Sequence, residues 1–222
     1  MRKFKFSTGE YYHVYNRGVD RRIIFSNEHD HDRFMKLLFI SNGTNSFDIN
    51  AEKIEDVYER NRGEQLVDVC AYSLLTNHFH LLLKEIREGG ISKFMQKLLT
   101  AYTMYFNAMN ERSGSLFQGT YRAKHMNTDN YFKHIPTYIH LNHLDIFEPN
   151  WKINGVKDKE AAKRFLINYK YSSLYDYLGD ERIENRILSQ NSLLDIYDSA
   201  TELLDNIHDW MEIAPELNAL TK

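Results

Sequence analysis

His78 and His80 flank a single hydrophobic residue, Phe79, within Tyr72-Ser-Leu-Leu-Thr-Asn-His-Phe-His-Leu-Leu-Leu-Lys-Glu85. On a β-strand, residues i and i+2 project from the same face. Both imidazoles then point one way, close enough to share one divalent cation, while Phe79 turns toward packing. Two neutral histidines leave coordination positions open for water or substrate oxygens, as a catalytic metal requires. The competing reading is two partly buried histidines bonded to backbone carbonyls. Tyr138 and Asn142 form a second candidate pair, sharing a helix face at a spacing of four. His134 joins that face if Pro136 leaves the helical register intact. A tyrosine hydroxyl beside a metal can act as a nucleophile, and a carboxamide can supply an oxygen ligand. Otherwise such a tyrosine is ordinary core or rim. The third candidate is Gly114-Ser-Leu-Phe-Gln-Gly-Thr-Tyr-Arg122, followed by Lys124 and His125. Its glycines, the Gln118 amide, its aromatics and its cations suit a phosphate chain, or else it is a structured connecting loop.

These residues need elements to hold them. Glu10 to Asn16 is β-rich and ends at Arg17-Gly18, which reads as a strand. Asn27 opens a helical pattern through Phe34, Leu37, Leu38 and Phe39 that stops at Ser41-Asn-Gly43. Residues 43–65 are polar and read as an irregular excursion. Leu66 to Leu75 and His78 to Lys84 read as two strands of a hairpin, with Thr76-Asn77 turning the chain. Gly89-Gly90 breaks it, and a long helix follows from Ile91 to Asn110. Ala123 to Asn127 suits a short fourth strand, and Asp129 to Leu144 a helix interrupted at Pro136. The order β-α-β-β-α-β predicts an α+β, ferredoxin-like (split βαβ) antiparallel sheet with packed helices. The catalytic domain is expected over 1–145 and a helical C-terminal extension over 146–222. In that extension Leu193, Ile196, Tyr197, Leu203, Leu204, Ile207, Trp210 and Met211 fall on one side of an amphipathic helix.

The chain has 222 residues, 28 Lys+Arg against 31 Asp+Glu, and a formal net charge of −3. That near balance hides an alternation, because residues 1–36 and 84–144 are net basic, whereas 37–83 and 145–222 are net acidic. Two basic segments can converge on one anion-binding face, with Arg17, Arg122 and Lys124 as candidates; ordinary solvated surface is the alternative. A single cysteine, Cys70, excludes an internal disulfide framework and a Cys-rich zinc module. No uncharged stretch approaches the roughly 18 residues of a membrane span. The basic start lacks the apolar core and cleavage site of a signal peptide, so a cytoplasmic location is expected. Phosphate-cradling glycine loops, nucleophile elbows and dinucleotide fingerprints are all missing from the sequence.

At these residues the chain resembles the IS200-like single-tyrosine transposases, and most of all their REP-associated branch. The resemblance is carried, in order, by Tyr12-His-Val-Tyr-Asn-Arg-Gly18, Tyr72 to Lys84 with Asn77-His-Phe-His80, Tyr105-Phe-Asn107, Gly114 to Arg122, and Tyr138-Ile-His-Leu-Asn142. It covers about residues 10–145 and implies a DNA nuclease and strand transferase of the class named for its His-hydrophobic-His motif. By the resemblance, His78, His80 and Asn142 would bind Mg or Mn. Tyr138 would attack a phosphate of single-stranded DNA, leaving a 5′-phosphotyrosine and a free 3′-hydroxyl. Arg17, Gln118, Arg122 and Lys124 would contact the DNA. The expected partners are single-stranded or hairpin DNA and a second copy in a homodimer, with the protein at the nucleoid. Two positions depart from the pattern: His143 stands where the family usually has proline, and Pro136 precedes Tyr138 by two residues. A catalytically silent hairpin-binding regulator and an RNA-binding module are the alternatives on the same fold. A covalent adduct separates the first reading from both, and preference for deoxy over ribo strands separates the last two.

Overall fold

The structure is a computed structural model that describes residues 5–48, 54–127, 129–178, 181–189, 197 and 199–220. Four strands, β1 (Tyr11–Arg17), β2 (Val67–Leu74), β3 (His78–Glu85) and β4 (Arg122–His125), form one sheet in the order β2-β3-β1-β4. All neighbouring pairs are antiparallel. The hairpin of β2 and β3 turns at residues 75–77, as the sequence predicts. The fourth strand begins one residue before the expected start and ends two residues before the expected end. With the helices after β1 and β3, this is the expected ferredoxin-like α+β arrangement.

One face of the sheet carries the main core. Helix α1 (Glu28–Ser41) and helix α2 (Gly90–Met109) pack there, over Tyr12, Val14, Phe79, Leu81 and Leu83. The start of α1 follows from its capping residues. Asn27 Oδ1 accepts from the Asp30 amide at 3.0 Å, and the Asp30 carboxylate accepts from the Ser26 amide at 2.8 Å. At α2 the wholly buried Glu85 carboxylate accepts from the Ile91 amide at 2.7 Å, placing negative charge at the helix N-terminus. Gly18 closes β1 at a position with no room for a side chain, because a Cβ there would run into the Arg22 carbonyl and the Ile24 side chain.

The opposite face carries α3 (Asp129–Leu141), whose Ile135 and Ile139 pack on Cys70, Ala71, Leu82 and Met126. The helix runs through Pro136, so the expected interruption does not occur. Proline removes one backbone donor, and packing on both flanks holds the helix across the gap. On the flank away from the sheet, Thr137 Oγ1 bonds Tyr197 Oη at 2.9 Å. His134 lies against Trp210, with ring centroids 5.4 Å apart, and does not join Tyr138 as the helical spacing suggested.

After α3 come the short helices α4 (Leu144–Phe147), α5 (Trp151–Asn154), α6 (Lys159–Asn168) and α7 (Ser173–Leu178), and then α8 (Ala200–Leu220). Leu203, Ile207 and Met211 of α8 join Leu141, Leu144, Trp151 and Leu166 in a second core, so the apolar stripe docks on the same chain. Leu193 and Ile196 lie outside the described residues. The extension also closes the free edge of β2, which would otherwise offer unpaired backbone groups. The Leu74 amide donates to the Tyr171 carbonyl at 3.0 Å, and the Tyr72 amide to Ser173 Oγ at 2.9 Å. His140 Nε2 meets Ser173 Oγ at 2.8 Å, and His143 Nδ1 meets Ser73 Oγ at 3.2 Å. His143 further stacks on Tyr169 at 4.5 Å. His140 and His143 thus tie α3 and the residues just after it to the sheet edge and to the extension.

Burial pushes His140 and His143 down to about 3 from an ordinary 6.5. Below pH 6.5 the unfolded chain takes up protons at these sites that the folded chain refuses until about pH 3. Their effect on stability is therefore absent above pH 6.5 and grows unfavourable as pH falls toward 3, by up to a few kcal/mol per group. The urea midpoint should fall steadily between pH 6.5 and 4. His143→Phe, which keeps a ring against Tyr169, should make that fall shallower; an unchanged slope would remove His143 from the explanation.

Candidate cation and nucleic-acid site

The alternation of β3 decides what each face can do. Phe79, Leu81 and Leu83 enter the main core, and His78, His80 and Leu82 turn to the α3 face. The register then fixes the neighbours, because residues directly opposite share a face. Arg17 pairs with His78, Tyr15 with His80 and His13 with Leu82. On the other side of β1, Arg122 pairs with Tyr15 and Lys124 with His13. Arg17, Arg122 and Lys124 thus lie on the histidine face, each exposed. Gln118 is exposed in a loop whose backbone is fastened to the end of β1; its amide donates to the Arg17 carbonyl at 2.8 Å.

The imidazoles of His78 and His80 stand with centroids 5.1 Å apart and planes at 80°. His78 Nδ1 lies 2.6 Å from Asn77 Oδ1, and Asn77 Nδ2 donates to the Arg21 carbonyl at 3.2 Å. An amide oxygen only accepts, so His78 Nδ1 carries the proton and Nε2 keeps its lone pair. His80 Nδ1 lies 2.8 Å from His13 Nε2, with the two rings stacked at 5.1 Å. With His80 Nδ1 donating, the His80 Nε2 is left bare as well, the tautomer that a bound metal selects.

Electrostatics keep these rings neutral. Burial, then Arg17 and Lys152, pushes His78 down to about 4. His80 is held well below its ordinary value by burial, then by His13, His78, Lys152 and Arg17. Burial and Lys124 lower His13 to about 3. The donor set needed for a divalent ion is therefore available without removing a proton. Among the described residues no three His, Cys, Asp or Glu side chains converge on a metal position. An ion on this face would take two imidazoles and an oxygen of another kind.

Tyr138 descends from α3 onto the same face. Its ring stands edge-on to His13 and to His80, with both centroid separations 6.0 Å. Burial raises its phenol above the ordinary value, and a hydrogen bond from Asn142 opposes that rise. Asn142, one turn on, is buried and donates from Nδ2 to the Tyr138 carbonyl at 2.8 Å. Its Oδ1 accepts from Lys152 Nζ at 3.0 Å. Of the four residues singled out by spacing, His78 lies beside His80, His80 meets Tyr138, and Asn142 bonds to Tyr138 one turn away.

Three further residues belong to the site: His13, Tyr15, stacked on His80 at 5.7 Å, and Lys152. His13 and Tyr15 repeat the i, i+2 alternation of the histidine pair. Only the β1–β3 pairing shows that the two sets share a face. Lys152 reaches the site through the fold of α4 and α5 and leaves no local signal.

Comparison with protein families matches residues 7–142 to the family described as Transposase IS200 like. The match spans β1 to Asn142 and more than half of the chain, and the protein belongs to the IS200-like transposase family. Comparison with curated proteins gives no match. A solved structure described as a REP-associated tyrosine transposase bound to a REP hairpin is similar at 10% identity and a TM-score of 0.49, over 83% of this chain and 88% of that one. Among the described residues, no helix is long and apolar enough to cross a membrane.

The tautomer assignment is directly measurable. Nitrogen-15 spectra of labelled histidine should show His78 protonated on Nδ1 and bare on Nε2, and neutral down to about pH 4. Asn77→Ala should release that preference. A dominant Nε2–H form in the unsubstituted protein would contradict the Asn77 bond.

Proposed function

We propose that this transposase-family protein cleaves and rejoins single-stranded, hairpin-bearing DNA through a covalent bond between Tyr138 and a 5′-phosphate. The observation that carries the reading is the edge-on approach of Tyr138 to His80, 6.0 Å between centroids, on a face whose histidines are neutral. His78, His80 and Asn142 would hold Mg or Mn. The fit rests on the bare Nε2 of His78, on the His80 Nε2 left bare when Nδ1 donates to His13, and on the Asn142 carboxamide oxygen, which an ion would share with the Lys152 ammonium. A divalent ion bound there withdraws charge from a phosphate oxygen and makes the phosphorus more electrophilic.

The chain's own groups account for the rest. Tyr138 Oη forms the new bond to phosphorus, and the bond from phosphorus to the 3′-oxygen breaks. The phenolic proton leaves to water, and the departing 3′-oxygen takes a proton to become a hydroxyl. Attack by another 3′-hydroxyl on the phosphotyrosine reverses these steps and joins a new strand. Burial raises the phenol, so positive charge near the phosphate must favour the phenolate as it forms. Arg17, Arg122 and Lys124 hold the strand by its phosphates, with Gln118 beside Arg17. Binding should then weaken as salt rises. The preference for hairpins follows the REP-associated branch that the sequence resembles. Tyr138 and the histidines come from one chain, so joining them does not require a homodimer. Action on chromosomal DNA puts the protein in the cytoplasm, at the nucleoid.

The test is denaturing electrophoresis of a labelled single strand incubated with Mn and protein. Wild type should give a denaturation-resistant adduct. Tyr138→Phe should give none, while binding metal and DNA normally. An adduct with the Phe variant would assign the nucleophile to another tyrosine. A wild type that binds hairpins without an adduct would be a silent regulator. His13→Phe keeps a ring but strips His80 Nδ1 of its partner, and should weaken Mn binding about 10- to 100-fold. Unchanged Mn affinity would confine His13 to packing.

A further inference from the structure

Lys152 lies on α5, ten residues beyond the end of the family match at 142, yet its ammonium stands inside the site. Nζ donates to Asn142 Oδ1 at 3.0 Å and faces Asp145 Oδ2 at 3.4 Å. It also sits 5.5 Å from the centroid of the Tyr138 ring and 5.5 Å from that of Trp151. Both flanking rings, and the hydrogen bond to a buried carboxamide, restrict where the ammonium can go. Its side chain remains 31% exposed, so a strand lying on the face can reach it. An ammonium has three N–H donors. One is used at Asn142 and a second is shared at long range with Asp145. Among the described residues the third has no protein acceptor. The charge is felt at the histidines too, since Lys152 is among the groups that hold His78 and His80 neutral.

We propose that Lys152 is a catalytic residue, whose ammonium contacts a non-bridging oxygen of the phosphate attacked by Tyr138. This rests on the strand-transfer reading above and adds to it a residue from outside the family segment. The ammonium stands 5.5 Å from the centre of the ring whose hydroxyl attacks, and its flexible stem lets it reach a phosphate held at Tyr138 Oη. Negative charge accumulates on the non-bridging oxygens as the Tyr138–phosphorus bond forms and the bond to the 3′-oxygen breaks. A preorganised cation is most effective there, away from bulk water. The competing role is structural, an ion pair with Asp145 that steadies Asn142.

The experiment uses the full chain with single-stranded oligonucleotides taken from the DNA flanking its gene, each carrying an inverted repeat, and Mn. Adduct formation is timed at saturating oligonucleotide. Oligonucleotide affinity, Mn affinity by electron paramagnetic resonance, and thermal unfolding are measured in parallel. Lys152→Met keeps the stem against Tyr138 and Trp151, and should slow adduct formation on the order of 100-fold. Its Mn affinity should not fall, since a cation bonded to the Asn142 oxygen is removed, and its melting temperature should stay close to wild type. Lys152→Arg should restore most of the rate. Asp145→Asn removes a carboxylate that competes for the ammonium, and should raise the rate. Wild-type rates in Lys152→Met would overturn the proposal alone. So would an Asp145→Asn variant as slow as Lys152→Met, or a Lys152→Met defect explained by lost Mn affinity or lost folding. Absence of an adduct in wild type would overturn the strand-transfer reading, and the role of Lys152 with it.

Discussion

β3 lies between β2 and β1 and is covered on both faces, so each of its residues is committed to one of two environments. Phe79, Leu81 and Leu83 belong to the core under α1 and α2, while His78, His80 and Leu82 belong to the face under α3. A slip of one residue would exchange the two sets, putting imidazoles into the apolar core and Phe79 into the site. The register is held from both sides, by seven paired positions with β1 and by the turn that begins β3 at His78. The cross-strand pairs then bring Arg17, Arg122 and Lys124 onto the histidine face. The apolar residues that fix the strand thereby also position the chemistry.

That face has a consistent electrical character. Its imidazoles are neutral because they are buried and lie near cations, Asn77 selects which His78 nitrogen stays bare, and His13 offers His80 Nδ1 a partner. The Asp145 carboxylate, 3.4 Å from the Lys152 ammonium, is half-exposed. The surroundings thus favour an incoming anion. They also explain how an acidic chain can bind phosphate: the net charge of −3 is an average over segments, and the sheet collects the basic ones on one surface.

Much of this was legible in the sequence because it rests on short periods. The His-x-His spacing, the hairpin around Thr76-Asn77, the Asn27 cap and the Tyr138–Asn142 turn depend only on neighbours along the chain. What escaped depends on packing. Pro136 does not interrupt α3, since contacts on both sides of the helix carry it across the missing hydrogen bond. His134 turns to Trp210 for the same reason. His13 becomes part of the site only through the pairing of β1 with β3. Lys152 does so only through the path of α4 and α5. The apolar stripe of α8 was legible as a stripe, but its partner within the same chain was not. The boundary expected at residue 145 separates the family segment from the extension in sequence, yet Lys152 and the strand-edge bonds of residues 171–173 cross it.

The central claim is that this sheet face forms a two-histidine cation site beneath Tyr138. Pulsed electron paramagnetic resonance of the Mn-loaded protein, with nitrogen-15 in its histidines, tests it most directly. The account predicts hyperfine coupling to two imidazole nitrogens, with one remaining in His80→Ala. Bound Mn showing no histidine nitrogen coupling, or coupling that survives loss of both His78 and His80, would contradict it.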